Sequence, residues 1–452
     1  MAKRNDLIWV LQMWHGEIMK NMFLITDYGA CADGKTINTR AIQAAIDACG
    51  AKGGGTVVIP TGCFITGTLW LRDHVEFHLQ SGAVLMASPD LTDYNQLDAY
   101  PQNFLCREEE WNGAHLILGV EVNDVSITGP GTIDGNGQMF FADPVPYPPF
   151  CWRDGLALAK DKEQLRPGQT IVFCESKNIR IRDVAIRNST CWSCFLHGCE
   201  DVFISGLKIN NAPYAANTDG IDIDCCRNVT IRDCIIDTGD DAITLRGDLV
   251  PLKDKSRICE NIVVNNCVVG SSSSVFRIGV GNGVIRNAVF SNIIITRGGV
   301  GIHFQSAYSA GPGVAISNIT FRDIYASNLA HPFMIMAGQP EATAQIENIV
   351  IDGLSAEVFA GAAFTGNTNT RPRHIGLRNI NLTVVPNPVK MKSRDLYPDT
   401  LLYIASVDDV SLADVQIHWK TSAPNWKHTL HSYNITGLNI AKNCHLPDPE
   451  NT

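Results

Sequence analysis

From residue 122 onward, apolar and polar positions alternate in short bursts, and each burst opens on the same kind of corner: NDVSI, KNIRI, EDVFI, RNVTI, ENIVV, RNAVF, SNITF, ENIVI, RHIGL and DDVSL. A period of two marks a strand with one face turned inward. The later units follow one another at roughly 23 to 35 residues, within the range of stacked repeats and too long for hairpins. No apolar pattern of helical length lies between them. An Asn or Asp at the corner tolerates left-handed backbone and bonds nearby peptide groups, so one turn can be reused coil after coil. The pattern predicts an all-β fold, a single-domain right-handed parallel β-helix. A β-propeller is disfavoured because each blade needs about four strands in 40–50 residues, and no Pro/Gly/Ser-rich linker splits the repeats into two β-domains.

Ahead of the repeats, NTRAIQAAIDACGA at 38–51 sets Ile42, Ala45, Ile46 and Cys49 at helical spacing behind a capping Asn or Thr, and Gly53–Gly55 ends the run. Short β-rich segments follow, so this helix is expected to cap the open end of the first coil. The β-helix domain is expected over 23–445, with 1–22 an irregular leader and 446–452 a tail. The leader has a basic start and a short apolar stretch, Leu7 to Trp14, but Gln12 interrupts it and no small-residue cleavage site follows. No segment reaches the roughly 18 apolar residues of a membrane helix. Residues Phe140 to Pro167 and Pro386 to Pro398 are expected to be loops projecting from the solenoid.

Composition narrows the function. A net charge of −10 without a Lys/Arg run argues against nucleic acid as a partner. The fifteen cysteines are odd in number, and Cys174, Cys199, Cys225, Cys226, Cys234 and Cys267 fall inside strand-like runs. With no export signal, they are expected to be buried reduced thiols in a cytoplasmic protein. Cys191 and Cys194 form a lone CxxC without the second pair that zinc spacing needs.

The chemistry concentrates in NTDGIDIDCCRNVTIRDCIIDTGDDAITLR, Asn217 to Arg246. Aligning the inward residues of successive coils pairs Ile221 and Ile223 with Ile243 and Leu245, Phe276 and Ile278, then Ile302 and Phe304. In that frame Asp219 stacks on Asp241, Asp240 falls one position earlier, and Asp222, Thr244, Arg277 and His303 form an outward column. Like charges this close raise the pKa of at least one of them, which a purely structural sheet face would avoid. Glycoside hydrolysis needs such a set: one protonated carboxyl for the leaving oxygen and one carboxylate to activate water. DG and GDD are also ordinary turn sequences.

NTDG at 217–220 with GDDAI at 239–243 resembles the signature of glycoside hydrolase family 28, the polygalacturonase-like β-helices. YGACADGKTINTRAIQAAID, GGGTVVIPTGCFITGTLWL and GPGTIDGNG extend the resemblance over nearly the whole chain. It implies an inverting hydrolase in which Asp240 is the general acid and Asp219 and Asp241 hold the nucleophilic water, with no metal or other cofactor. Two family motifs differ. Ser273 or Ser274 stands where Gly-His-Gly carries its His, and His303, Phe304 and Gln305 stand where an Arg-Ile-Lys holds the galacturonate carboxylate. Arg277 and Arg246 either rebuild an anion site or neutralise the aspartates. The candidate substrate-binding residues are therefore Asn217, Arg246, Arg277, His303, Gln305, Trp192, Ser274 and Asp222, with Trp192 one coil before Asp219 as a sugar platform or a core corner. Phe195 and His197 lie nearby, and Trp111, Trp152 and Tyr214 fall in loops or beside the motif. The expected activity is exo-acting cleavage of galacturonan- or rhamnogalacturonan-derived oligosaccharides. A cation-dependent lyase and a non-catalytic carbohydrate-binding β-helix are the alternatives. The oligomeric state is left open.

Overall fold

The computed structural model describes residues 21–95, 110–142, 160–161, 165–308, 311–387, 399–420 and 426–449. Residues 1–20 of the expected leader, Trp152, and most of the Phe140 to Pro167 and Pro386 to Pro398 loops lie outside the described residues. Within them the chain forms 31 strands joined into one continuous sheet, every pairing between named strands parallel, and a single α-helix. Strands of successive coils stack in register around an apolar interior, which is the parallel β-helix the alternation predicted. Right-handed connection is the rule for parallel strands. No helix among the described residues is long and apolar enough to cross a membrane.

The corner residues explain why the coils repeat. Asp124, Asn178, Asp201, Asn228, Asn261, Asn287, Asn318, Asn348, His374 and Asp409 occupy equivalent positions, all with φ of 52–59°. Their side chains bond along the stack, Asn228 to Asp201 at 2.9 Å, Asn261 to Asn228 at 3.0 Å and Asn348 to Asn318 at 3.0 Å. Asn and Asp accept this backbone region where most residues resist it. A second left-handed column five residues later, including Asp183, Asp233, Asn266, Asn292, Asp323 and Asn379, turns the chain again.

The interior is filled by stacked identical side chains. Phe290 lies face to face on Phe321 at 4.3 Å, with Phe276 and Phe304 edge-on or tilted around them. Cys199, Cys226 and Cys259 stack in three successive coils, each fully buried. All thirteen cysteines among the described residues are free. Burial pushes the Cys49 thiol up to about 11 and the Cys259 thiol up to about 12, which suits inert apolar filler rather than reactive sulfur.

The helix Thr39–Ala51 covers the first coil and buries Ile42, Ala45, Ile46 and Cys49, the residues its periodicity picked out. Its start differs from expectation. Asn38 makes no side-chain cap; its amide instead bridges the Cys31, Thr36 and Ile65 carbonyls, while its Oδ1 accepts the Cys31 N–H. Tying helix to strand takes precedence over capping there. At the far end Trp419, Trp426, Leu438 and Leu446 pack against the last coils, and Trp419 Nε1 donates to the Pro447 carbonyl at 2.9 Å.

Candidate active site

Asp219 immediately precedes Gly220 and the strand Ile221–Asp224, and Asp241 lies two residues before the strand Ile243–Gly247. The strands pair Ile221 to Ile243 and Ile223 to Leu245, the predicted register. Gly220 N–H donates to the Asp241 carbonyl at 3.0 Å, so the two acidic turns are stitched together. Both motif glycines are needed for that approach. A Cβ on Gly220 would come 2.3 Å from the Ala242 carbonyl oxygen, and one on Gly239 2.4 Å from that of Ala215. One carboxylate oxygen from each of Asp219, Asp240 and Asp241 falls within 4.8 Å of the others. Asp219 is 6% exposed, and the other two are half-buried.

Each member of the acidic pair is held by hydrogen bonds. Asp240 accepts from the Asn217 N–H at 3.2 Å on one oxygen and from the Asp241 N–H at 3.0 Å on the other. Its own carbonyl accepts both the Thr238 hydroxyl at 2.6 Å and the Ser271 hydroxyl at 2.7 Å. Asn217 stands at φ 55°, and its Oδ1 accepts from Arg166 Nη2 at 2.7 Å. Arg166 is fully buried and also donates to the Thr190 carbonyl. Asp241 takes the Ser273 hydroxyl at 2.8 Å and the Ser274 N–H at 2.9 Å, both on Oδ1.

The outward column runs Phe195, Asp222, Thr244, Arg277, His303 across successive coils, as expected. Its members are covered, however, rather than solvated. Asp222 and His303 are 0% exposed, and Arg277 is 2% exposed. Burial lifts the Asp222 carboxyl well above the usual aspartate range; Arg246 opposes the rise, and Asp241 and Asp224 add to it. Thr244, its neighbour in the column, also opposes the rise. Burial thus disfavours the charged form of Asp222.

The two arginines have different jobs. Arg246 does neutralise aspartates: its ion pair is with Asp224, at 3.2 Å, and Asp219 of the converging three adds to the field on it. Burial alone would pull the Arg246 guanidinium down, yet Asp224, Asp222 and Asp219 together hold it above its ordinary value. Arg277 has no carboxylate partner among the described residues. Its Nη2 donates to Gln305 Oε1 at 3.0 Å, its Nη1 meets His303 Nδ1 at 3.0 Å, its Nε is unpartnered, and its charge faces the Tyr308 ring at 5.1 Å. A guanidinium only donates, so His303 Nδ1 accepts and the imidazole is neutral with its proton on Nε2. Ser274 Oγ reaches the same Nδ1 at 3.0 Å.

Several candidates therefore support the site where contact with a ligand was expected. Ser274 is fully buried and serves Asp241 through its backbone, while Ser273 supplies the hydroxyl. Trp192 sits one coil before Asp219 as predicted, but it is 7% exposed and its face carries the Arg246 guanidinium at 4.6 Å. With Trp111 and Phe195 it forms an aromatic wall closing the column on that side. Tyr214 joins a separate small cluster with Phe141 and Ala215. Gln305 is half-buried and holds Arg277.

Among the described residues, two groups have the donors for a cation. Asp219, Asp240 and Asp241 offer three oxygens. His197, Asp224 and Cys225 also converge, but His197 Nε2 is 2.7 Å from the Asp248 carbonyl, Asp224 serves Arg246 and the Asp248 N–H, and burial pushes the Cys225 thiol up. That second group is committed to structure. Cys191 and Cys194 are both buried but belong to different apolar clusters, so the CxxC does not converge on one site.

Comparison with known proteins agrees with this geometry. The model of the family described as glycosyl hydrolases family 28 matches residues 49–395. The exo-poly-alpha-D-galacturonosidase of Dickeya chrysanthemi is 29% identical over 69% of this chain and 56% of its own length. The chain spans about half the length of the curated relatives it matches. A family 28 exopolygalacturonase of Yersinia enterocolitica superposes with a TM-score of 0.69 at 20% identity, covering 94% of this chain and 78% of the other. An exopolygalacturonase of Thermotoga maritima does so with a TM-score of 0.65 at 22% identity, covering 92% and 91%. Both share the right-handed parallel β-helix.

Proposed function

We propose, from the premise that this chain belongs to glycosyl hydrolase family 28, that it is an inverting, exo-acting hydrolase of pectin-derived oligosaccharides carrying galacturonate, from galacturonan or rhamnogalacturonan. The observation that carries the reading is the convergence of Asp219, Asp240 and Asp241 within 4.8 Å. Asp240 protonates the leaving oxygen. Asp241 and Asp219 hold a water and take its proton as it attacks the anomeric carbon from the opposite face. For a lone pair of carboxyls, so short a spacing suits a nucleophile and its acid better than an inverting pair. The third carboxylate supports inversion, because two stacked acids can share one water while the third serves the leaving group.

Substrate and mode rest on two features. Arg277 is a buried guanidinium with no acidic partner among the described residues, and leaving a charge uncompensated there is costly unless an anion completes it. A uronate carboxylate is such an anion, and Arg277 thereby takes the place of the Arg-Ile-Lys side chains missing at 303–305. The wall of Trp111, Trp192 and Phe195 closes the column beside Asp219, which favours attack at a chain end. The curated relative from Dickeya is itself named an exo-acting galacturonosidase.

The test is a panel of galacturonan and rhamnogalacturonan oligosaccharides with product identification, run with the wild type and Asp240→Asn. The wild type is expected to release monomer or dimer from one end, and the variant to bind without turnover. Near-normal turnover by Asp240→Asn would sink the assignment of the acid.

A further inference from the structure

The run Ser271–Ser274 is not used by the mechanism above, yet its hydroxyls have distinct partners. Ser271 Oγ donates to the Asp240 carbonyl at 2.7 Å and accepts the Ser273 N–H at 2.8 Å. Ser272 Oγ donates to the Pro213 carbonyl at 2.7 Å and receives Arg297 Nη1 at 2.7 Å. Arg297 in turn grips the Asp237 carboxylate at 2.5 Å and the Thr238 carbonyl at 2.9 Å, directly ahead of the GDD turn. Ser274 Oγ lies against His303 Nδ1. Ser273 is the member of the run whose hydroxyl meets a reacting carboxylate, Asp241 Oδ1 at 2.8 Å.

We propose that Ser273 is a positioning residue for the reaction: its hydroxyl, paired with the Ser274 N–H, occupies one oxygen of Asp241 and leaves the other as the single face that can take the water's proton. Two donors on Oδ1 fix the rotation of the carboxylate. Ser273 is 3% exposed, so water does not compete for the bond. Its backbone is locked by the Ser271 bond, and the run is tied through Ser272 and Arg297 to the turn that carries Asp240. The acid and the base are therefore set against each other by one polar frame. Without the hydroxyl, Asp241 can rotate so that both oxygens face the cleft, and the water loses a defined attack line. This role rests on the hydrolytic reading and adds a residue to it.

The test compares wild type, Ser273→Ala and Ser273→Thr on whichever oligosaccharide of the panel the wild type cleaves fastest. Loss of a hydrogen bond to a charged group predicts a fall in kcat of about 10- to 100-fold for Ser273→Ala. KM should change less than about threefold, because the substrate's sugars are bound elsewhere. Ser273→Thr keeps the hydroxyl and should recover most of the rate. Thermal unfolding separates a merely structural role, which would lower Tm in both variants and leave kcat at permissive temperature near wild type. That outcome, or a Ser273→Ala loss expressed mainly in KM, overturns the proposal while leaving the hydrolase reading in place. A wild type that cleaves no member of the panel overturns both.

Discussion

Replacing Gly220 with alanine tests whether the two acidic turns must approach as closely as they do. Gly220 has a backbone conformation that alanine adopts readily, so the substitution probes space alone. The added Cβ would meet the Ala242 carbonyl oxygen at 2.3 Å and Ile236 Cγ2 at 2.9 Å, whereas ordinary contact begins at 3.4 Å. Relief requires the Asp219 turn to move off the Asp241 turn by about 1 Å, and a displacement of that size costs about 10²-fold in rate when it separates reacting groups. The fold bears a smaller burden, about 1–3 kcal/mol for overpacking. Gly376 is the control, since a Cβ there meets nothing closer than Ser411 Oγ at 3.5 Å. Steady-state kinetics with a cleaved oligosaccharide, beside thermal unfolding of Gly220→Ala and Gly376→Ala, decides the matter. A Gly220→Ala enzyme that folds and turns over like Gly376→Ala would refute the claim that close stacking of Asp219 on Asp241 matters.

Asp222→Asn should raise Tm at pH 7 and change it little at pH 4. The folded-state carboxyl is raised by burial, so above about pH 4 the unfolded chain ionises while the folded one keeps its proton, and the wild type loses stability until the folded pKa is passed. Equal shifts at both pH values would contradict a raised Asp222 carboxyl. Arg277→Met should cut kcat/KM on uronate-bearing substrate by about 30-fold or more, yet hold or raise Tm, because it removes a buried charge with no acidic partner among the described residues. A drop in Tm with unchanged kcat/KM would make Arg277 structural.

The fold was legible because its repeat is written in the chain. Alternation located the strands, and the Asn or Asp before nearly every run, with His374 the exception, located the first left-handed corner. The second corner was equally present as Asp, Asn or Gly five residues on, but it lies inside the apolar alternation and was absorbed into the strands. Register arithmetic placed Asp219, Asp241, Trp192, Arg277 and His303 correctly because one-residue slips would turn every inward side chain out. The same parity sets Asp224 beside Arg246, a pairing that the acidic motif itself does not signal. Arg166 reaches Asn217 from beyond a long insertion, where no periodicity connects sequence to space. The hydroxyl of Ser273 could not be separated from that of Ser274 by pattern, since which of two adjacent serines turns toward Asp241 depends on the local backbone.

If Asp240 acts as acid while Asp219 and Asp241 hold the attacking water, the configuration of the first-formed product must be inverted. Proton NMR of the wild type acting on an α-linked galacturonate oligosaccharide, recorded before mutarotation, should show the β-anomer accumulating first, without an unsaturated ultraviolet-absorbing product and without loss of activity on adding a chelator. Initial accumulation of the α-anomer would make one of the three acids a covalent nucleophile, and an unsaturated product would make the protein a lyase; either result contradicts the account.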